Sequence, residues 1–160
     1  MRRFGLIGFP LGHSFSKKYF TEKFLLEGID ARYDLYELKS LDEFAELKVS
    51  ENLCGLNVTI PYKQQIIPFL DEMDETAAEI GAVNVIKFIR DGNDLKLKGY
   101  NSDAIGFLQS IRPYLKPHHN KALILGTGGA SRAFDYTLRK LGIKTTFFPP
   151  PPAEGQLNYG

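Results

Sequence analysis

Lys63 is the first residue whose type and place suggest chemistry. It follows Pro61 at the end of the β-like run in "NVTIPYK", residues 57–63. The commonest fate of a lysine is a solvated surface. Here, however, the amine comes just after a strand end and a proline turn, the region where α/β folds place their ligands. A lysine at its unperturbed pKa of about 10.4 is a poor acid or base near neutrality, so it needs burial or a tuned partner. Asp103, in "GYNSD", is the natural partner, although on spacing alone a helix-capping role suits it equally well.

Ser14 and Ser16 flank Phe15 after "PLGH". Either could be a simple N-cap. As a pair at a helix N-terminus they could also bind a carboxylate, helped by the helix dipole. Asn57, Thr59, Asn84 and Asn101 sit near strand ends, and such neutral hydrogen-bonding groups would suit a polyhydroxylated substrate. His13 has no Cys, His or carboxylate at ligand spacing and reads as structural, while His118 and His119 read as solvated. No metal site is expected.

The glycine turn "GTGGAS" offers a different chemistry. Gly126 and Gly128 fit the first two positions of a dinucleotide fingerprint, and Ser131 takes the third. The turn follows the apolar strand 122–125 and opens a helix, the context that such a fingerprint requires. Such a turn demands close backbone approach to a pyrophosphate, with the helix N-terminus aimed at it. Beside a bound nicotinamide, a Lys–Asp pair could hand a proton to the alkoxide formed by hydride transfer. The choice between NAD and NADP stays open at this level, since "TTFFPPPP" offers neither an acid nor an arginine.

These groups need elements to hold them. "RFGLIGF" reads as a buried strand, followed by a helix over "SFSKKYFTEKFLLEG" that stops at Gly28 and turns Phe20, Phe24 and Leu25 inward. "ARYDLYEL" alternates as a half-buried strand does, and "SLDE" (residues 40–43) is a capping box opening a short helix. "LCGLNVTI" is a third strand. Residues 62–81 read as two short helices, divided around Pro68 and "DEMDE". "AVNVIKFI" and "LKLKGYN" flank Asp91-Gly92, a hairpin signal. A helix from about Ser102 leads into "RPYLKPHHN", and beyond it lies one βαβ unit.

The chain has 160 residues, 43% of them hydrophobic and 24% charged, as in a globular protein. Its 20 basic and 19 acidic side chains give a net charge of +1. With no long basic block, there is little electrostatic reason for a nucleic-acid partner. One cysteine, Cys54, fits a reducing compartment. The N-terminal apolar run is broken by Gly8, Pro10 and Gly12, so neither a signal peptide nor a membrane span is expected. The reading is cytoplasmic.

Taken together, these pieces resemble the shikimate dehydrogenase family. "GFPLGHSFSKKYF" is similar to its serine motif, "GLNVTIPYK" to its lysine motif, "GAVNV" to its asparagine motif, "GYNSDAIGF" to its aspartate motif and "GTGGAS" to its nucleotide turn. The resemblance runs over residues 1–148. It implies an α/β fold: an N-terminal substrate-binding catalytic domain with a mixed sheet and flanking helices (1–101), a connecting helix and linker (102–119), and the start of a Rossmann NADP-binding domain (120–160). It also implies that Ser14 and Ser16 hold the substrate carboxylate, that Thr59 and Asn84 contact ring hydroxyls, that Lys63 and Asp103 are the catalytic pair, and that Gly126, Thr127, Gly128, Gly129 and Ala130 cradle the cofactor diphosphate. The reaction would be the NADPH-dependent reduction of 3-dehydroshikimate to shikimate on the way to chorismate, and a homodimer stays open as the assembly.

Two departures stand out. Pro149, Pro150 and Pro151 occupy the place where the family has Asn or Ser followed by Arg-Thr, the arginine reading the 2′-phosphate. Members are also considerably longer, with a later part that completes the nucleotide domain, and the expectation is that this sequence is part of a longer chain. Two alternatives remain: a quinate/shikimate dehydrogenase that uses NAD, and a non-catalytic module that binds shikimate-like ligands.

Overall fold

Strand β1 (Arg2–Gly8) lies inside the sheet because its apolar side chains alternate between two covered faces, Leu6 on one and Ile7 on the other. The protein is described by a computed structural model covering residues 1–50 and 52–148, which fall into two compact units, 1–102 and from 103 onward. In the first unit β1 pairs in parallel with β2 (Ala31–Glu37) and with β3 (Leu53–Val58). β3 runs antiparallel to β5 (Val85–Asp91), which forms a hairpin with β6 (Asp94–Tyr100), and the two-residue strand β4 (Glu72–Met73) closes the edge. The sheet is six-stranded and mixed, in the order β2-β1-β3-β5-β6-β4.

One face of this sheet carries the main core. Ile7, Leu56, Val58, Ile86 and Leu97 pack against Phe44 of α2 (Asp42–Ser50), Ile66 beside α3 (Tyr62–Gln65) and Ala77 of α4 (Glu75–Ile80). Of the capping box at α2 the glutamate half forms, Glu43 Oε1 accepting from the Ser40 N–H at 3.1 Å, while Ser40 Oγ accepts from the Asp42 N–H at 3.2 Å rather than from that of Glu43. Asp74 caps α4 by accepting from the Ala77 N–H at 2.9 Å, and Gly81 ends it at φ +68°. A left-handed φ of this kind is costly for any residue with a Cβ.

The opposite face is covered over β1 and β2 by α1 (Ser16–Leu26), whose Phe20 stacks on Tyr33 with ring centroids 4.5 Å apart. Phe20 and Phe24 turn inward as the periodicity requires, but Leu25 does not; it is 81% exposed. A third apolar side chain would need sheet beneath it, and α1 lies over only two strands. The N-cap position of α1 is Phe15, whose side chain caps nothing, and the first helical N–H, that of Ser16, is taken by Ser14 Oγ at 3.3 Å. The hairpin turn is Gly92–Asn93, Asp91 being the last paired strand residue opposite Asp94.

In the second unit α5 (Asp103–Ile111) packs on α6 (Gly129–Lys140): Phe107 meets Phe134 at 4.4 Å between centroids, and Thr137 Oγ1 donates to the Ala104 carbonyl at 3.2 Å. β7 (Lys121–Leu125) and β8 (Lys144–Phe148) pair in parallel around α6, the βαβ grammar read from sequence. Ile124, Leu138 and Ile143 form its small core. Among the described residues, no helix is long and apolar enough to cross a membrane.

Candidate substrate and nucleotide sites

At the carboxyl ends of β1 and β3 a cavity of about 450 Å³ brings Ser14, Ser16 and Thr59 together, with His13, Phe9 and Ile60 completing the wall. Thr59 arrives there because β3 continues beside β1, its N–H donating to the Ile7 carbonyl at 2.9 Å. Phe9 N–H donates to the Ile60 carbonyl at 3.0 Å, which joins the two loops that frame the opening. Ser14 Oγ accepts from the Ser16 N–H at 3.3 Å, an arrangement that leaves the Ser14 hydroxyl proton to be donated elsewhere. Two hydroxyls and a threonine at strand ends form a donor-rich lining suited to an anionic, hydroxylated ligand. Sequence reasoning assigned His13 a structural role, whereas the structure makes it part of this wall. No spacing rule marks a histidine whose neighbours come from another strand.

Asn57 has a different task from the one its position suggested. Its Oδ1 accepts from the Tyr33 hydroxyl at 2.8 Å, and it lines a second, apolar cavity of about 360 Å³ with Phe4, Phe20 and Phe24. Burial pushes the Tyr33 phenol far above its ordinary range, with a hydrogen bond from Ser16 pulling weakly the other way. The tyrosine therefore stays protonated and keeps the amide oriented.

Lys63 sits half-buried on the single-turn helix α3, directly after the turn at Pro61. Two bonds hold that turn. The buried Tyr62 hydroxyl donates to the Leu38 carbonyl at 2.6 Å, and the Lys63 carbonyl accepts from the Val83 N–H at 2.7 Å. The second bond brings the lysine's backbone beside the residue preceding Asn84. Asn84 is 8% exposed and grips Ser102, accepting from its N–H at 2.8 Å and donating to its Oγ at 3.0 Å. Asn101 donates to the Ala82 carbonyl at 2.8 Å. The two asparagines thus bolt the "GAVN" turn to the end of β6, a structural duty that sequence position alone did not reveal.

In the second unit Asp103 is the first residue of α5 and is half-buried, where the helix dipole favours a carboxylate. The glycine turn joins β7 to α6. Gly126 has φ +99°, which demands glycine, and its N–H donates to the Phe148 carbonyl at 2.8 Å. Gly128 is the N-cap of α6, with no side chain capping the helix and no acidic residue in its first turn. Open space surrounds the position a Cβ would take at Gly128. Uncapped N–H groups, no competing negative charge and room for close approach fit a diphosphate. Pro149, Pro150, Pro151 and Pro152, whose place bears on the choice of nucleotide, lie outside the described residues.

The first unit is therefore an α/β ligand-binding fold, with its polar cavity where open α/β sheets place their ligands, outside the carboxyl ends of parallel strands. The family model for the shikimate dehydrogenase substrate binding domain matches residues 6–86, and the chain belongs to that family. It is 43% identical over 148 residues to the shikimate dehydrogenase (NADP(+)) of Aquifex aeolicus, covering 88% of this chain and 52% of that one. It is 44% identical over 141 residues to that of Methanosphaera stadtmanae, covering 87% and 48%. Among solved structures, the Aquifex aeolicus shikimate dehydrogenase superposes with a TM-score of 0.82 at 38% identity, covering 96% of this chain and 57% of that one. The Thermus thermophilus enzyme, solved with NADP(H) and shikimate, gives a TM-score of 0.80 at 32% identity, covering 95% and 57%. The chain spans about half the length of the curated relatives it matches.

Proposed function

We propose that the protein acts as a shikimate dehydrogenase, catalysing the reversible NADPH-dependent reduction of 3-dehydroshikimate to shikimate in the route to chorismate and the aromatic amino acids. The observation that carries this reading is the cavity shared by Ser14, Ser16 and Thr59, in a chain whose relatives are named for that activity. Ser14 and Ser16 donate to the substrate carboxylate, and Thr59 and Asn84 contact ring hydroxyls. Lys63, with Asp103 as its partner, delivers the proton to the oxygen of the carbonyl being reduced, and in the reverse direction withdraws it from the hydroxyl. Gly126, Thr127, Gly128, Gly129 and Ala130 hold the cofactor diphosphate. NADPH, when bound, supplies the hydride.

On this reading residues 1–101 form the substrate-binding catalytic domain, 102–119 the connection, and 120–160 the first βαβ unit of the nucleotide domain. The setting is the cytoplasm, the partner a small-molecule substrate without nucleic acid, and the assembly to test by light scattering a homodimer. The test of function is to mix the chain with shikimate and NADP⁺, with NAD⁺ in parallel, and follow the absorbance of the reduced nicotinamide. Turnover that is faster with NADP⁺ supports the proposal. Shikimate binding without turnover on either nucleotide would make the chain a ligand-binding module instead, and absence of both would overturn the reading.

A further inference from the structure

We propose that Glu37 is a positioning residue for the serine loop, holding Ser14 and Ser16 in place through a succession of three hydrogen bonds linked by the loop's own backbone; the ligand it serves rests on the function proposed above. The loop leaves β1 at Gly8, whose register partner on β2 is Glu37. Pro10 has no N–H to give, so Leu11 supplies the first donor after Phe9, and it gives that proton to Glu37 Oε2 at 2.8 Å. The Leu11 side chain, 4% exposed, is fixed beneath the loop with Leu6 and Tyr33. Its carbonyl then accepts from the Ser14 N–H at 2.9 Å, and Ser14 Oγ accepts from the Ser16 N–H at 3.3 Å. Three hydrogen bonds, joined through the covalent frames of Leu11 and Ser14, thus lead from the carboxylate to the second serine, and the first is charge-assisted, the strongest kind available to a backbone amide.

The plainer role for Glu37 is to satisfy the N–H of an otherwise buried residue. The two roles differ in how far the loss travels. If Glu37 only satisfies Leu11, its removal is felt at Leu11 and stops there. If it positions the loop, both serines lose their placement and the anionic ligand is held less tightly.

The experiment compares wild type, Glu37→Ala and Glu37→Gln by calorimetric titration with shikimate and by amide hydrogen exchange of the unliganded chain. Glu37→Ala is expected to weaken shikimate binding about tenfold, near the lower end of what one hydrogen bond to a charged group contributes, because both serines keep their hydroxyls and lose only their placement. Glu37→Gln keeps an acceptor oxygen and should recover most of that loss. Exchange should quicken in Glu37→Ala at Leu11, Ser14 and Ser16 together. Wild-type affinity in Glu37→Ala, with faster exchange only at Leu11, would overturn the proposal. Should the wild-type chain take up no shikimate, the functional reading falls, and exchange decides the positioning role. Acceleration that reaches both serines upholds it; acceleration confined to Leu11, or none, overturns it.

Discussion

In residues 1–102 one face of a six-stranded sheet is sealed by three helices, and Ile7, Phe44, Ile66, Val83 and Ile86 have no exposed surface. In residues 103–148 a parallel pair of strands carries the same kind of βα grammar, yet Leu123 and Leu125 of β7 are 62% and 74% exposed. Parallel strands are stable when both faces are covered, so the two units differ in how far their apolar surface is buried rather than in how well their local elements form. The polar cavity of Ser14, Ser16 and Thr59 belongs to the first, better-buried unit, and the glycine turn to the second. A binding constellation needs its side chains held by packed neighbours. The first unit meets that need on its own through Tyr62, Asn84, Asn101 and Tyr33.

The sharpest way to separate the units is chemical. Lys63→Ala should lower the rate of shikimate-dependent NADP⁺ reduction by about 10²–10⁴-fold, the usual contribution of a general acid–base group, while changing shikimate affinity far less. Rate and affinity falling together would make Lys63 a binding residue. Next in size is a stability contrast. Ile86→Ala removes a fully buried side chain and should cost the first unit about 2–5 kcal/mol, whereas Leu138→Ala in the smaller core should lie at the lower end of that range. Denaturation monitored by hydrogen exchange should show the Leu138 variant losing protection in β7 and β8 while β1, β3 and β5 keep theirs. Loss in both units at once would mean that they unfold as one.

A smaller effect concerns Asp34, where α1 meets β2. Burial raises its carboxyl pKa, but the Arg32 guanidinium at 2.6 Å and the Lys17 ammonium at 3.3 Å outweigh burial and hold it below the ordinary carboxylate value. A depressed folded-state pKa contributes stability above the unfolded value of about 3.9, and that contribution is lost as pH falls through the folded value. Asp34→Asn should therefore reduce stability at neutral pH and flatten its decline in acid. An identical acid profile in the variant would remove Asp34 from the account.

Much of the local architecture was legible because its causes are local. The capping box at Ser40 and Glu43 needs only residues three apart, and the turn at Gly126 needs only a strand before it and a helix after. Strand β4 was not legible, because two residues pair with Lys98 and Gly99 only once β6 is in place, 26 residues away. Leu25 misled for a similar reason: periodicity marks an apolar face but not how much sheet lies under it. In the candidate site, the serines, Thr59 and Lys63 could be picked out by type and position. The bonds from Glu37 to Leu11, Tyr33 to Asn57 and Asn84 to Ser102 span 26, 24 and 18 residues, and each is a product of strand register.

The central claim is that the first unit reads a carboxylate with Ser14 and Ser16. Calorimetric titration of shikimate and of its methyl ester into wild type, Ser14→Ala and Ser16→Ala tests it most directly. The account predicts saturable one-to-one binding of shikimate to wild type and a loss of about tenfold to hundredfold in each variant, since each removes one hydrogen bond to a charged group. The ester should bind wild type more weakly than the acid and be nearly insensitive to both substitutions. Equal affinity of wild type and both variants for shikimate would contradict the claim and place the carboxylate elsewhere.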